Sequence, residues 1–235
     1  MAEPARPASL FERVRRQPSA ILLVTQLLGV LIYPYLGESR AGTGAVSLFG
    51  LLVLALAVWS VETTSWTVWV SIALGVPSVL FTVCQLLSEA AVWRAWGSGF
   101  EAAFYFYAAG SLIAYMLADR DITRDELFAV GATFTLLAWA FAHLYVVTQV
   151  VWPGSFTAAV NAASPRSWME LLFLSFTTLS STGLSDVVPV LPHARSFVMI
   201  EQLAGLAYVA MIVSWMVGLT VARARARQGS VDELN

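Results

Sequence analysis

Six apolar runs, each long enough to cross a bilayer, constrain this chain more than any other feature. About 20 apolar residues are needed to span, with tolerance down to roughly 17. By that measure residues 20–37, 44–61, 66–87, 100–118, 126–151 and 195–222 are predicted spans. Lipid offers a backbone no water to bond, so each run must be a helix with its hydrogen bonds internal. Composition agrees: 58% of the 235 residues are hydrophobic, only 12% are charged, and mean hydropathy is +0.73. The expected fold class is an all-α membrane protein with six transmembrane helices.

One segment breaks the pattern. Ser175 to Pro189 reads S-F-T-T-L-S-S-T-G-L-S-D-V-V-P. It is too short to cross and too polar at its centre to lie in lipid, yet it sits between two spans. The apolar stretch ahead of it, Trp168 to Leu179, has only 12 residues, so it enters and does not cross. Backbone that leaves the helix at membrane depth is tolerated only where it lines a cavity or is buried in protein. Carbonyl and hydroxyl oxygens at such a place replace an ion's hydration shell. A re-entrant pore helix and filter loop is therefore expected, with Gly183 supplying a positive φ that other residues resist.

Aligned without gaps, Ser181, Thr182, Gly183, Leu184, Ser185 and Asp186 fall on the filter letters T-V-G-Y-G-D. Ile200 to Leu219 looks like an inner helix, and Gly205 follows Asp186 by 19 residues, where a hinge glycine occurs. On these residues the region 126–222 resembles the pore module of the potassium-channel superfamily, tetrameric pore-loop cation channels of the six-span bacterial type. The resemblance implies a four-fold homotetramer, since one chain supplies one loop and an axial filter needs four. It implies a filter of Ser181, Thr182, Gly183, Leu184 and Ser185 holding K+ or Na+, with no other cofactor. The Ser181 hydroxyl would serve the innermost site and carbonyls from Ser181 to Leu184 the sites above it. Only Gly183 and Asp186 of the six letters are retained. Leu184 brings no hydroxyl to a supporting aromatic cuff. Ser185 must accept a left-handed conformation or reshape the outer site. Relaxed preference for potassium over sodium follows from both departures. Asp186 reads as a filter anchor or as part of a cation-concentrating ring, with His193 and Arg195 near enough to pair.

The pore helix has two candidate starts: Ser164 with Pro165 at the first helical position, or Ser167 with Glu170 as a capping box. Its partly negative C-terminal end would face a cation. Glu170 either caps or supports the filter from behind. Glu201, the one acid well inside the last run, ties the inner helix to the pore loop or shapes the cavity's potential. His143 in the fifth span reads as a hydrogen-bonded packing residue, with a proton sensor as the other reading. Gly205 lacks a side chain in mid-helix and should have a packing or hinge role. Val213, Met216, Val217 and Thr220 recur below it at helical spacing and form a candidate apolar gate. Trp215 is a second gate candidate or a lipid-facing anchor.

Arginine placement orients the chain. All 13 basic residues are arginine. With the N-terminus inside, nine lie in cytoplasmic segments and four (Arg40, Arg94, Arg166, Arg195) outside. The positive-inside rule then places both termini in the cytoplasm of a multi-pass cell-membrane protein. Residues 1–19 are expected as a cytoplasmic segment, 20–118 as a peripheral four-helix domain, and 119–125 as a cytoplasmic linker. Residues 126–222 are expected as the pore domain and 223–235 as a short cytoplasmic tail without a regulatory domain. The linker is a solvated turn with Thr123 as helix cap, or a coupling element to the gate. The fourth predicted span holds no arginine, which excludes S4-type voltage sensing. A lone Cys84 excludes an intrachain disulfide. No zinc cluster, phosphate loop or hydrolase motif is present, so no enzyme is expected, and nothing points to nucleic acid. Two rivals stay open: a secondary transporter, which should carry a second broken segment, and a non-conducting scaffold with a decayed pore.

Overall fold

The computed structural model describes residues 17–36, 49–50, 52–53, 55–57, 59, 65–88, 90–118 and 124–232. Its elements in chain order are α1 (Pro18–Leu36), α2 (Ser65–Leu87), α3 (Ala91–Ala118), α4 (Arg124–Val151) and β1 (Phe156–Ala158). After them come α5 (Trp168–Leu179), β2 (Val187–Pro189) and α6 (Pro192–Asp232). Among the described residues, four stretches are long and apolar enough to cross a membrane: Pro18–Leu36, Ala91–Ala118, Asp125–Val151 and Pro192–Val221. Helix α2 carries a shorter apolar section, Trp69–Gln85. The predicted span 44–61 lies largely outside the described residues; those described within it are helical. The N-terminal segment up to residue 16 and the linker 119–123, with Thr123, also lie outside them.

Helix α4 is the hub against which α1, α3, α5 and α6 pack, while α2 packs on α3. Small residues Ala129, Ala132, Ala138, Ala140 and Ala142 are buried there, with Trp139 and Tyr145 filling the space between helices. Within the spanning windows 61% of α4 is buried against only 17% of α6. The core of the described residues thus lies around α4, and α6 leaves most of its apolar surface exposed.

Three boundaries differ from expectation. Helix α3 starts at Ala91, not near residue 100. The helix runs through Gly97 and Gly99, where Phe81 of α2 stacks with Trp93, Trp96 and Phe100 at centroid distances of 5.9, 6.3 and 5.5 Å. That packing outweighs the local propensity of two glycines. Helix α6 runs on to Asp232 through the expected tail, because V-A-R-A-R-A-R-Q is built mostly from strong helix formers. The third difference is a two-stranded ribbon: β1 and β2 pair antiparallel, with Phe156 opposite Pro189 and Ala158 opposite Val187. Strands of three residues are too short to show alternation in sequence. Asp125 in the first turn of α4 accepts from Ser19 N at 3.1 Å and Ser19 Oγ at 2.8 Å, fastening the start of α1 to it.

Candidate functional site

Helix α5 begins at the second candidate start. Ser167 is the N-cap in an extended conformation, its Oγ accepting from Glu170 N at 3.3 Å. The Glu170 carboxylate accepts in return from Ser167 N at 2.6 Å, completing a capping box. Arg166, just upstream, is buried at 3% exposure although the sequence reading counted it only as an outer charge. Its guanidinium donates to the carbonyls of Val160, Asn161 and Ser164 and to Glu170 Oε1. Gln149 of α4 grips its backbone, accepting from Arg166 N at 2.9 Å and donating to Arg166 O at 2.8 Å. Arginine's planar fork suits such a cluster of carbonyls. The entrance to the pore helix is thereby tied to α4 and to the preceding loop.

The other end of α5 closes differently from expectation. Thr182 N donates to Thr177 O at 2.9 Å, and Ser181 N to Thr178 O at 3.0 Å, with Ser181 at φ +59°. These are the two bonds of a Schellman cap, with a serine where glycine is usual. Gly183 N adds a second bond to Thr177 O at 3.0 Å, and the Thr182 hydroxyl turns back to the same oxygen at 3.3 Å. The last helical carbonyls are therefore largely consumed by the cap. Gly183 has φ +64°, as expected, but Ser185 is not left-handed; its Oγ accepts from Val187 N at 3.0 Å. Of the two alternatives for Ser185, the reshaped loop is the one adopted.

The residues beyond the cap are open. Ser181, Thr182, Gly183 and Leu184 are exposed, Leu184 at 76%. Among the described residues nothing donates to the carbonyls of Ser181 through Leu184, and the Ser181 hydroxyl makes no hydrogen bond. Asp186 is exposed and unpaired within the described subunit. Its expected partners are engaged elsewhere: Arg195 Nε donates to Pro189 O at 3.3 Å, and His193 stacks on Trp152 at 4.3 Å. The β1–β2 ribbon and the bond from Val190 N to Ser155 O, 2.8 Å, pin the chain just after this loop. A left-handed serine costs roughly 1 kcal/mol. Ser181→Gly is expected to raise unfolding free energy by about that amount, read by thermal or denaturant melting. An unchanged or lower stability would show that the cap holds no strain.

Behind the loop lies a buried polar node. Glu201 of α6 is fully buried, with Tyr145 of α4 donating from its hydroxyl to Oε2 and Ser175 of α5 bonded to Oε1. Ser175 Oγ also lies 2.8 Å from Ala138 O of α4. Glu201 thus joins α4, α5 and α6 at one point. Neither Ser175 nor Tyr145 was singled out in sequence; Ser175 looked like one hydroxyl of many, and Tyr145 like a spanning aromatic. Gly205, one turn further along α6, lies against the end of α5: a Cβ there would stand 2.0 Å from Leu179 O. The contact gives Gly205 a packing reason. Val213 and Val217 are exposed, while Met216 and Trp215 are half-buried against the subunit core. Thr220 Oγ1 donates to Met216 O at 2.8 Å.

His143 links α3 to the start of α5. Trp168 Nε1 donates to His143 Nε2 at 3.2 Å, and His143 Nδ1 lies 2.9 Å from Glu101 Oε2 of α3. Thr82 of α2 donates to Glu101 Oε1 at 3.4 Å. These groups border a cavity of about 1030 Å³ between α1, α2, α3, α4 and the start of α5. Among the described residues no group of three His, Cys, Asp or Glu side chains is arranged to hold a metal ion.

Comparison with known families places residues 130–221 under a model described as an ion channel. No curated protein and no solved structure matches the chain.

Proposed function

With an ion-channel domain at residues 130–221, the chain belongs to the potassium-channel superfamily, and we propose that it is the subunit of a homotetrameric channel for monovalent cations, potassium first. One observation carries this reading. The exposed loop Ser181–Leu184, seated on the capped helix α5, leaves four successive carbonyls and one hydroxyl without partners among the described residues. Oxygens in that state are what a dehydrating cation requires. The family is not an enzyme family, and the bound K+ or Na+ is cargo, with no other cofactor. One such wall surrounds an ion only when four copies meet on an axis. The apolar row Met199, Leu203, Leu206, Val213 and Val217, exposed along α6, supports that assembly. Its lower part, Val213 and Val217 with Met216, is the proposed gate, and Asp186, Glu170 and Glu201 support the filter. The arginine asymmetry supports both termini facing the cytoplasm.

The test is unitary current from the purified protein in planar bilayers, with bi-ionic reversal potentials. Potassium is expected to be preferred over sodium, less strictly than in channels with the full T-V-G-Y-G. The double substitution Leu184→Tyr and Ser185→Gly is expected to sharpen the ratio. Absence of unitary current, or a native mass of one or two subunits, sinks the reading. Near-exclusive potassium permeability in the unaltered chain removes the claim of relaxed selectivity.

A further inference from the structure

We propose that His143 is a proton-operated coupling residue: a proton reaching its Nε2 through the cavity releases Trp168, slackens the pore helix and lowers the current. The inference rests on the channel reading above and adds its regulation. The indole N–H of Trp168 only donates, so Nε2 of His143 must offer a lone pair. In the neutral ring the one proton then sits on Nδ1, facing the Glu101 carboxylate at 2.9 Å without a well-aligned hydrogen bond. A proton added at Nε2 turns that acceptor into a donor, and the Trp168 bond is lost. The resulting imidazolium is drawn toward Glu101 as a full ion pair. No other atom need change its covalent state.

Access and leverage both favour this histidine. His143 and Glu101 keep 13% and 16% of their side chains exposed, and both line the cavity. Asn161, Ser164 and Asp186 border the same cavity, so it lies on the side of the filter mouth. Trp168 is the first residue of α5, and its ring also packs on Tyr33 and Trp139 at 5.2 Å each. Freeing its N–H therefore acts on the start of the pore helix. From α3, His143 faces Glu101, and the Tyr105 ring lies 5.6 Å away, with Arg94 further along the lining. From α5 and its lead-in come Glu170 and Arg166, which are paired with each other. Tyr33 of α1 and Asp186 of the filter loop complete the titratable and charged lining. Among these only histidine ordinarily changes charge between about pH 5 and 8.

The experiment records current from the full chain in bilayers while pH on the filter-mouth side falls from 8 to 5. The unaltered protein is expected to lose at least five-fold of its current with one midpoint. His143→Gln, whose amide oxygen still accepts from Trp168 but takes no proton in this range, is expected to keep its pH 8 current and lose the acid response. Glu101→Gln removes the counter-charge and is expected to move the midpoint about one unit more acid, a ten-fold rise in proton concentration. An acid response of unchanged midpoint in either variant overturns the proposal, and the second variant decides if the first fails to fold. A pH-independent current in the unaltered chain also overturns it and leaves the channel reading standing. No current even at pH 8 overturns the channel reading itself.

Discussion

Gly205→Ala is expected to cut current at least ten-fold, whereas Gly218→Ala on the same helix leaves it intact. A Cβ at position 205 would meet Leu179 O at 2.0 Å, its carbonyl carbon at 2.8 Å and its Cα at 2.9 Å. These are backbone atoms, so no side-chain rotation relieves the clash; α5 or α6 must move. Inserting one carbon into a packed interface typically costs about 1–3 kcal/mol. Leu179 is the last residue of α5, directly before the left-handed Ser181 cap and the carbonyls above it. The displacement is thus delivered to the loop proposed to hold the ion. At Gly218 an added Cβ meets nothing within 4 Å, and alanine there favours the helix by about 1 kcal/mol. Unitary conductance and thermal melting of both variants decide the matter. A Gly205→Ala channel that conducts like the unaltered one would show that the close approach to Leu179 is dispensable.

The long apolar helices and the polar break between α5 and α6 were legible because they rest on strong, additive signals. A run of apolar residues must be helical in lipid, and a polar break within such runs has few other uses. Ser167 and Glu170 were readable as one of two starts because a capping box is a local pattern. Apart from Glu201, whose acid inside an apolar run marked it, the supports of the loop were not readable, since they join residues distant in sequence. Arg166 looked like a surface charge until Gln149, 17 residues away, was found gripping its backbone. The Glu101–His143 contact spans two helices that no periodicity relates. The left-handed residue before Gly183 was missed for a different reason. Glycine advertises a positive φ, but Ser181 adopts one because the cap demands it.

Glu201→Ala is expected to disable the pore more severely than any substitution on the exposed face of α6. The carboxylate is fully buried and receives Tyr145 from α4 and Ser175 from α5. Removing it leaves the Tyr145 hydroxyl, also fully buried, without its acceptor. An orphaned buried donor costs about 1–3 kcal/mol, and the vacated volume adds to that. Ser175 is less exposed to the loss because Ala138 O remains 2.8 Å away. The damage should therefore fall on the junction of α4 with α6, loosening the inner helix behind the filter. Tyr145→Phe takes one donor from the Glu201 carboxylate but leaves it bonded to Ser175 and opens no comparable volume, so on its own it should cost less than Glu201→Ala. Combined with Glu201→Ala it should relieve the orphan, giving a coupling of about 0.5–3 kcal/mol by a double-mutant cycle. Denaturant unfolding in detergent measures the cycle, and bilayer current measures the pore. Leu203→Ala, on the exposed row, serves as the reference for a substitution outside the node. Strictly additive stabilities, with current in Glu201→Ala matching that reference, would mean that the three helices are held together elsewhere and that Glu201 merely occupies the space between them.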